Sequence, residues 1–227
     1  SKIDEGYDLD KVKTLGFRGE ALPSIAGVRR FQLQTRRPED DVGVEVRVEG
    51  GTIRDVQECG CAPGTNIVVK NLFYNVPARR KFLRQASTEA LHIQETVLLH
   101  ALARTDIGFD LELNGKTVIR TSSGKRENTR LAMLLGKDTF KGMVPVAYSE
   151  GDTRVSGYVA RPGLTRKNRR EQRFFVNARP AEADTLYSAV REAYHTLVMK
   201  SRYPPVVLYV QVAPENVDVN VHPAKRE

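Results

Sequence analysis

Apolar and polar residues alternate along Phe31-Gln32-Leu33-Gln34-Thr35 and again along Val44-Glu45-Val46-Arg47-Val48. That period of two belongs to strands with one face buried. The pair Gly50-Gly51 can take the positive φ angles of a tight turn, so it predicts a hairpin into Thr52–Val56. Ile67-Val68-Val69, after the Pro63-Gly64 turn, is a short unbroken apolar run and predicts a buried strand. From Ser87 the period lengthens. Ser87-Thr88-Glu89 offers cap residues and a first-turn acid, and Leu91, Gln94, Val97/Leu98 and Ala101/Leu102 recur at helical spacing, predicting a long amphipathic helix over Ser87–Arg104. Phe109–Leu113 and Lys116–Arg120 flank Asn114-Gly115, the strongest hairpin signal in the chain.

The small polar stretch Thr121–Lys125 predicts a domain boundary, with residues 1–123 before it and 124–227 after it. Beyond it, Asn128–Leu135 reads as a helix stopped by Gly136, and Arg154–Ala160 and Gln172–Val176 as strands. Asp184–Val198 carries Leu186, Val190, Ala193/Tyr194 and Leu197 on one helical face, and Val206–Val212 and Val217–Val221 read as strands. At the other end, Ser1–Leu15 is a polar loop running into a short helix, and Pro23, Ile25 and Val28 open another helix. This mixture predicts an α+β protein with helices on one face of mixed sheets and no internal repeat.

Composition narrows the partners. With 40% hydrophobic and 28% charged residues, the 227-residue chain has the make-up of a globular protein. No apolar run approaches the ~20 residues of a membrane span, and the charged opening Ser1–Gly6 is no signal peptide. The first residue is not Met, which suggests a fragment. A net charge of +8 favours polyanionic partners, while the absence of Trp argues against a base-stacking platform and for contacts to duplex phosphates. Two cysteines, Cys59 and Cys61, and four scattered histidines do not make a zinc set, and no metal site is assigned.

Several residues have the chemistry to meet phosphate. Gly16 and Gly19, three apart before a helix start, can leave backbone N–H groups open to an anion, with Arg18 adding a full charge; the same spacing also makes an ordinary tight connection. Thr65 after Gly64 can present a hydroxyl and an N–H, or merely lead a strand. Lys225, in a loop beyond a strand, is a mobile point charge that suits a terminal phosphate or plain solvent. Arg79, Arg80, Lys81 and Arg84 form one basic turn, and Arg161, Arg166, Lys167, Arg169, Arg170 and Arg173 form another; each reads as a phosphate-contacting surface or a solvated face. His92, His100, His195 and His222 suggest no joint catalytic role.

Three strings bear a closer resemblance. Thr14–Ile25, containing Gly16-Phe17-Arg18-Gly19-Glu20-Ala21-Leu22, resembles the ATP-lid motif of MutL-type DNA mismatch-repair proteins, in the gyrase, chaperone, histidine-kinase and MutL (GHKL) ATPase superfamily. Gly64–Leu83 is similar to that family's next block, and Val217–Lys225 to its terminal strand and loop. The resemblance implies the C-terminal part of a GHKL-type α/β sandwich followed by a smaller α+β domain of ribosomal-protein-like fold. It places Ser1, Lys2, Gly16, Phe17, Arg18, Gly19, Glu20, Ala21, Leu22, Thr65 and Lys225 at ATP. Arg79, Arg80, Lys81, Arg84, Arg166, Lys167, Arg169 and Arg170 become candidates for DNA.

For the intact protein the resemblance implies ATP and Mg²⁺ as cofactors and DNA and a MutS-type mismatch-recognition protein as partners. It also implies self-association through the ATP domain and a cytoplasmic location, or a nuclear one in a eukaryote. The superfamily's catalytic glutamate, its Mg²⁺-binding asparagine and its Asp-x-Gly-x-Gly adenine turn have no counterpart in this sequence, so no catalytic residue is assigned and the chain alone is expected not to hydrolyse ATP. A type II topoisomerase ATPase fragment shares the layout, but Phe17–Leu22 and Asn71–Asn75 argue against it; composition alone would also allow a nucleic-acid-binding module with no nucleotide role.

Overall fold

The computed structural model describes residues 20–124, 126–213 and 217, and its packing divides the chain into two units meeting at Ala86/Ser87. In the first unit, helix α1 (Ala21–Gly27) is followed by strands β1 (Arg30–Arg36), β2 (Gly43–Glu49), β3 (Thr52–Cys59) and β4 (Gly64–Lys70), then the single-turn helix α2 (Pro77–Arg80). The strands form an antiparallel sheet in the order β3-β2-β1-β4. Gly50 and Gly51 make the β2–β3 turn with φ of 57° and 87°, which only glycine adopts without strain. Because side chains alternate, Phe31, Leu33, Val46 and Val48 share one face and pack with Ala26 and Ile25 of α1.

The other face is polar and centres on Glu45, which is only 4% exposed. Its carboxylate accepts from the side-chain amides of Gln32 at 2.7 Å, Gln34 at 2.6 Å and Gln57 at 3.3 Å, and pairs with Arg47. The Gln34 amide, then that of Gln32, holds the carboxyl below its ordinary range against the opposing effect of burial. Ile67-Val68-Val69 is indeed a strand, but not a buried one: β4 lies at the sheet edge, and Ile67 and Val69 are 44% and 37% exposed. An apolar run reveals strand character but not whether a helix covers it, and the seven-residue α1 lies over β1 and β2.

The second unit opens with helix α3 (Ala86–Ala103) and the hairpin β5 (Phe109–Leu113) and β6 (Lys116–Thr121), turned by Asn114 and Gly115 at φ of 52° and 76°. Helices α4 (Glu127–Leu135) and α5 (Lys137–Lys141) follow. Next come β7 (Met143–Glu150), β8 (Thr153–Ala160), β9 (Gln172–Val176), β10 (Arg179–Ala181), helix α6 (Asp184–Ala193) and β11 (Val206–Gln211). The five-stranded sheet runs β10-β9-β11-β8-β7, with β9 and β11 parallel and α6 in the crossover between them. Adjacent phenylalanines serve opposite faces. Phe175 packs with Leu98, Leu102, Ile119, Leu131, Met143 and Val207, whereas Phe174 packs with Val190 of α6 and Val206.

That first core explains why the packing divides at Ala86/Ser87 rather than at the expected 123/124. Leu98, Leu102 and Ile119 share a core with residues beyond Gly124, so α3 and the β5–β6 hairpin stay with the second sheet. Helix α6 stops at Ala193, short of the expected Val198; turn hydrogen bonds continue to Val198, and Leu197 is 57% exposed. Strands β7 and β10 and the short α5 carried no periodic signal and were not anticipated. The expected strand Val217–Val221 lies outside the described residues, apart from the isolated Val217.

Candidate functional site

Of the nucleotide candidates, Ser1, Lys2, Gly16, Phe17, Arg18, Gly19 and Lys225 lie outside the described residues. Glu20, Ala21 and Leu22 are exposed at the start of α1, where the Glu20 carbonyl accepts from Ser24 N at 3.1 Å and its side chain makes no cap. A seven-residue helix is too short to persist alone, and the structure holds this one at its far end. Gly51 N donates to Ala26 O at 3.1 Å, Asn75 Nδ2 to Gly27 O at 3.0 Å and Phe73 N to Val28 O at 3.0 Å.

The segment Asn71–Asn75 therefore pins the helix that follows the Gly16–Gly19 string. Its backbone is strained to do so: Asn71 and Phe73 have φ of 56° and 59°, and the second is unusual for an aromatic residue. Arg30 lies over the Tyr74 ring at 5.6 Å. Asn75 lies within the Gly64–Leu83 string, and no local spacing marks it for this role. Thr65 is exposed on β4, and its hydroxyl lies 2.9 Å from that of Thr35, its cross-strand partner.

Backbone hydrogen bonds hold the first basic turn. Pro77 opens α2, and successive N–H groups from Arg80 to Leu83 bond carbonyls three or four residues back, which leaves Arg79, Arg80, Lys81 and Arg84 exposed. The second run does not survive intact. Arg166 is half-buried; its Nε donates to Glu171 at 2.7 Å and Nη2 to Thr139 at 3.2 Å, and its backbone exchanges two hydrogen bonds with Tyr203. Arg173 is buried on β9 against Glu95.

Lys167, Arg169 and Arg170 are exposed, on a 3-10 turn (Arg169–Glu171) capped by Asn168, whose Oδ1 accepts from Arg170 N at 3.2 Å. Arg169 lies over the Tyr187 ring at 5.0 Å, where burial raises the Tyr187 hydroxyl above its ordinary value. One further cation, distant in sequence, joins them: Arg202 donates to Thr165 Oγ1 at 3.0 Å. Arg161, the first of the run, is exposed, and its backbone N bonds Gly142 O at 2.8 Å. These side chains can meet phosphate oxygens without sequence preference.

A model of the DNA mismatch repair protein C-terminal domain matches residues 131–227, which include the second basic turn. Over all 227 residues the chain is 46% identical to DNA mismatch repair protein MutL of Opitutus terrae, spanning 36% of that protein's length. The chain belongs to the MutL family. A solved N-terminal domain of a DNA repair protein superposes with a TM-score of 0.81 at 26% identity, over 96% of this chain and 71% of that one. The Aquifex aeolicus MutL ATPase domain complexed with ADP gives 0.71 at 26%, over 92% and 76%. The B-subunit of DNA gyrase from Myxococcus xanthus, at 15% identity and 0.56, shares the fold alone. The α+β architecture is thus that of MutL and its GHKL relatives, and the topoisomerase alternative is the more distant kinship. No helix among the described residues is long and apolar enough to cross a membrane.

Proposed function

We propose that this MutL-family chain supplies part of the ATP lid, the second-domain side of the nucleotide site and a DNA-binding surface to an ATP-gated clamp in DNA mismatch repair. The observation that carries the reading is the likeness to MutL along the whole chain, joined to a structural match with a MutL ATPase domain that held ADP. On this reading residues 1–123 belong to the ATP-binding domain and residues 124–227 to the domain that completes it. Gly16-Phe17-Arg18-Gly19-Glu20-Ala21-Leu22, Ser1, Lys2 and Thr65 attend the nucleotide, and Lys225 reaches its terminal phosphate.

Catalysis then rests on positioning and charge neutralisation around the phosphates, with Mg²⁺ held by parts of the parent protein that lie beyond this sequence. Arg79, Arg80, Lys81, Arg84, Lys167, Arg169 and Arg170 supply exposed positive charge for duplex DNA, whereas Arg166 is engaged with Glu171. A MutS-type partner and nucleotide-driven self-association complete the proposed cycle.

The test is limited proteolysis of the full-length protein with and without a non-hydrolysable ATP analogue. Protection of the segment before Glu20, lost in Lys225→Ala together with most ATP turnover but little ADP affinity, is the expected result. ADP lacks the phosphate that the lysine would contact, so it forfeits little when the ammonium is removed. A protein that binds DNA but shows no nucleotide-dependent protection would be a nucleic-acid module without a nucleotide role.

A further inference from the structure

Cys59 and Cys61 belong to neither proposed surface, yet the first sheet brings their thiols together. Cys59 ends β3 and faces Gly43 of β2 in the antiparallel register. Facing residues of such a pair project side chains to the same face, with Cβ atoms ~4.5–5.5 Å apart. Gly43 has no side chain, and a Cβ built there would overlap Cys61 Sγ. The Cys61 thiol therefore fills the place of the side chain that would stand opposite Cys59. The Thr35 carbonyl borders the same hollow, 3.0 Å from that Cβ position. Both cysteines are half-buried and unbridged. Burial, and then the hydrogen bond with Cys61, push the Cys59 thiol above its ordinary value.

We propose that Cys59 and Cys61 form a two-thiol site for a soft monovalent metal cation of the copper(I) class, held within one chain. Thiol sulfur selects soft ions over hard ones, so Mg²⁺ has no claim on it. Zinc would need about four ligands, and no three His, Cys, Asp or Glu side chains converge among the described residues. A pair of sulfurs with no third side-chain ligand suits an ion content with two. Capture proceeds by displacement: two S–H bonds break, two metal–sulfur bonds form, two protons leave to solvent and no electron is transferred. Gly43 is what makes the room.

The experiment is an anaerobic titration of the reduced 227-residue chain with copper(I) against a chromogenic chelator. One ion per chain is expected, with affinity falling at least a hundredfold in Cys59→Ser and in Cys61→Ser. Gly43→Ala, which keeps both sulfurs but fills the hollow, should weaken binding at least tenfold. Single-cysteine variants that bind as tightly as the parent, or one ion shared by two chains, would overturn the site. X-ray absorption of the copper-loaded parent needs no variant: a first shell of two sulfurs is expected, and one dominated by oxygen or nitrogen rejects the proposal.

Discussion

Arg173 and Glu95, 78 residues apart in sequence, close a two-pronged ion pair: Nε donates to Oε1 at 3.0 Å and Nη2 to Oε2 at 3.3 Å. The Arg173 side chain is 9% exposed and that of Glu95 42%, so one member is buried while the other keeps an edge in water. The pair fastens α3 to β9 and withdraws Arg173 from the basic run to which its sequence neighbours assign it. Arg173→Gln should therefore cost about 1–3 kcal/mol, the scale of a charge-assisted hydrogen bond, read from urea unfolding. DNA affinity of the folded variant should stay at the parent value. A DNA defect without lost stability would return Arg173 to the binding surface.

The exposed members of the same run should behave in the opposite way. Each phosphate contact contributes a slope of about −0.9 in log affinity against log salt. Reversing Arg169 and Arg170 to Glu should flatten the slope by about one to two such contacts while leaving unfolding within ~0.5 kcal/mol. Arg166→Gln, which removes a partner of Glu171 and Thr139, should lower stability and leave the slope alone. Anisotropy titrations on duplex DNA over a range of salt separate the two classes.

Residues adjacent in sequence thus part company in space, and this marks where sequence reasoning ran out. Local signals carried far: the Gly50-Gly51 and Asn114-Gly115 turns and the alternation along β1 and β2 each depend on a few neighbouring residues, and each appears as read. What no local pattern encodes is the partner. Composition alone does not distinguish Arg166 or Arg173 from Arg169 or Arg170; their partners do, nearby Glu171 and distant Thr139 for Arg166 and distant Glu95 for Arg173. The packing division at Ala86/Ser87 was not legible for the same reason, since Thr121–Lys125 has the composition of a linker while its flanks share a core. Of the nucleotide candidates, the described structure reaches only Glu20, Ala21, Leu22 and Thr65.

Asn75 offers a sharp test of how α1 is held. Its amide bonds the Gly27 carbonyl at 3.0 Å, at the end of a helix with no side-chain N-cap. Asn75→Ala should cost about 1 kcal/mol overall and speed hydrogen exchange in α1 more than in β1. Uniform acceleration across the first unit would mean that the bond adds general stability without positioning the helix.

Acid should loosen a different turn. Arg104 grips Asp106 through Nε at 2.9 Å and Nη2 at 2.6 Å, and this holds the Asp106 carboxyl down to about 2. A carboxyl whose folded value is depressed contributes stability above its unfolded value, near ~3.9, and loses it as pH falls through the folded one. The contribution of this pair should therefore fade between about pH 4 and pH 2. Being exposed, it should also shrink with added salt. Carboxyl chemical shifts give the titration directly, and an Asp106 midpoint near 4 would show that the pair does not persist in solution.

The turn matters because its carbonyls face Arg130. That residue is 1% exposed and, among the described residues, hydrogen-bonds no carboxylate: it donates to the carbonyls of Ala101 at 2.7 Å, Ser122 at 3.0 Å, Thr105 at 3.3 Å and Ile107 at 2.5 Å, with the Phe109 ring 5.8 Å away. Burial lowers its pKa, yet an arginine remains charged in any folded protein. Its partners come from the last turn of α3, the following loop and the end of the β5–β6 hairpin, while Arg130 itself stands on α4. The C-terminal carbonyls of a helix lack intrahelical donors and carry partial negative charge, so a cation there is favoured twice. Arg130→Met would leave those carbonyls without their donors and should cost at least about 1–3 kcal/mol, the penalty for a buried acceptor left unpaired. Arg130→Lys keeps the charge but cannot span the four acceptors with a single ammonium, and should recover only part of that loss. Because the same contacts hold α3 and the hairpin to the second sheet, the Met variant should also become more sensitive to trypsin at Arg126. A loss below ~1 kcal/mol with unchanged cleavage would mean that hydrophobic packing of Leu98, Leu102 and Ile119 alone keeps these elements in place.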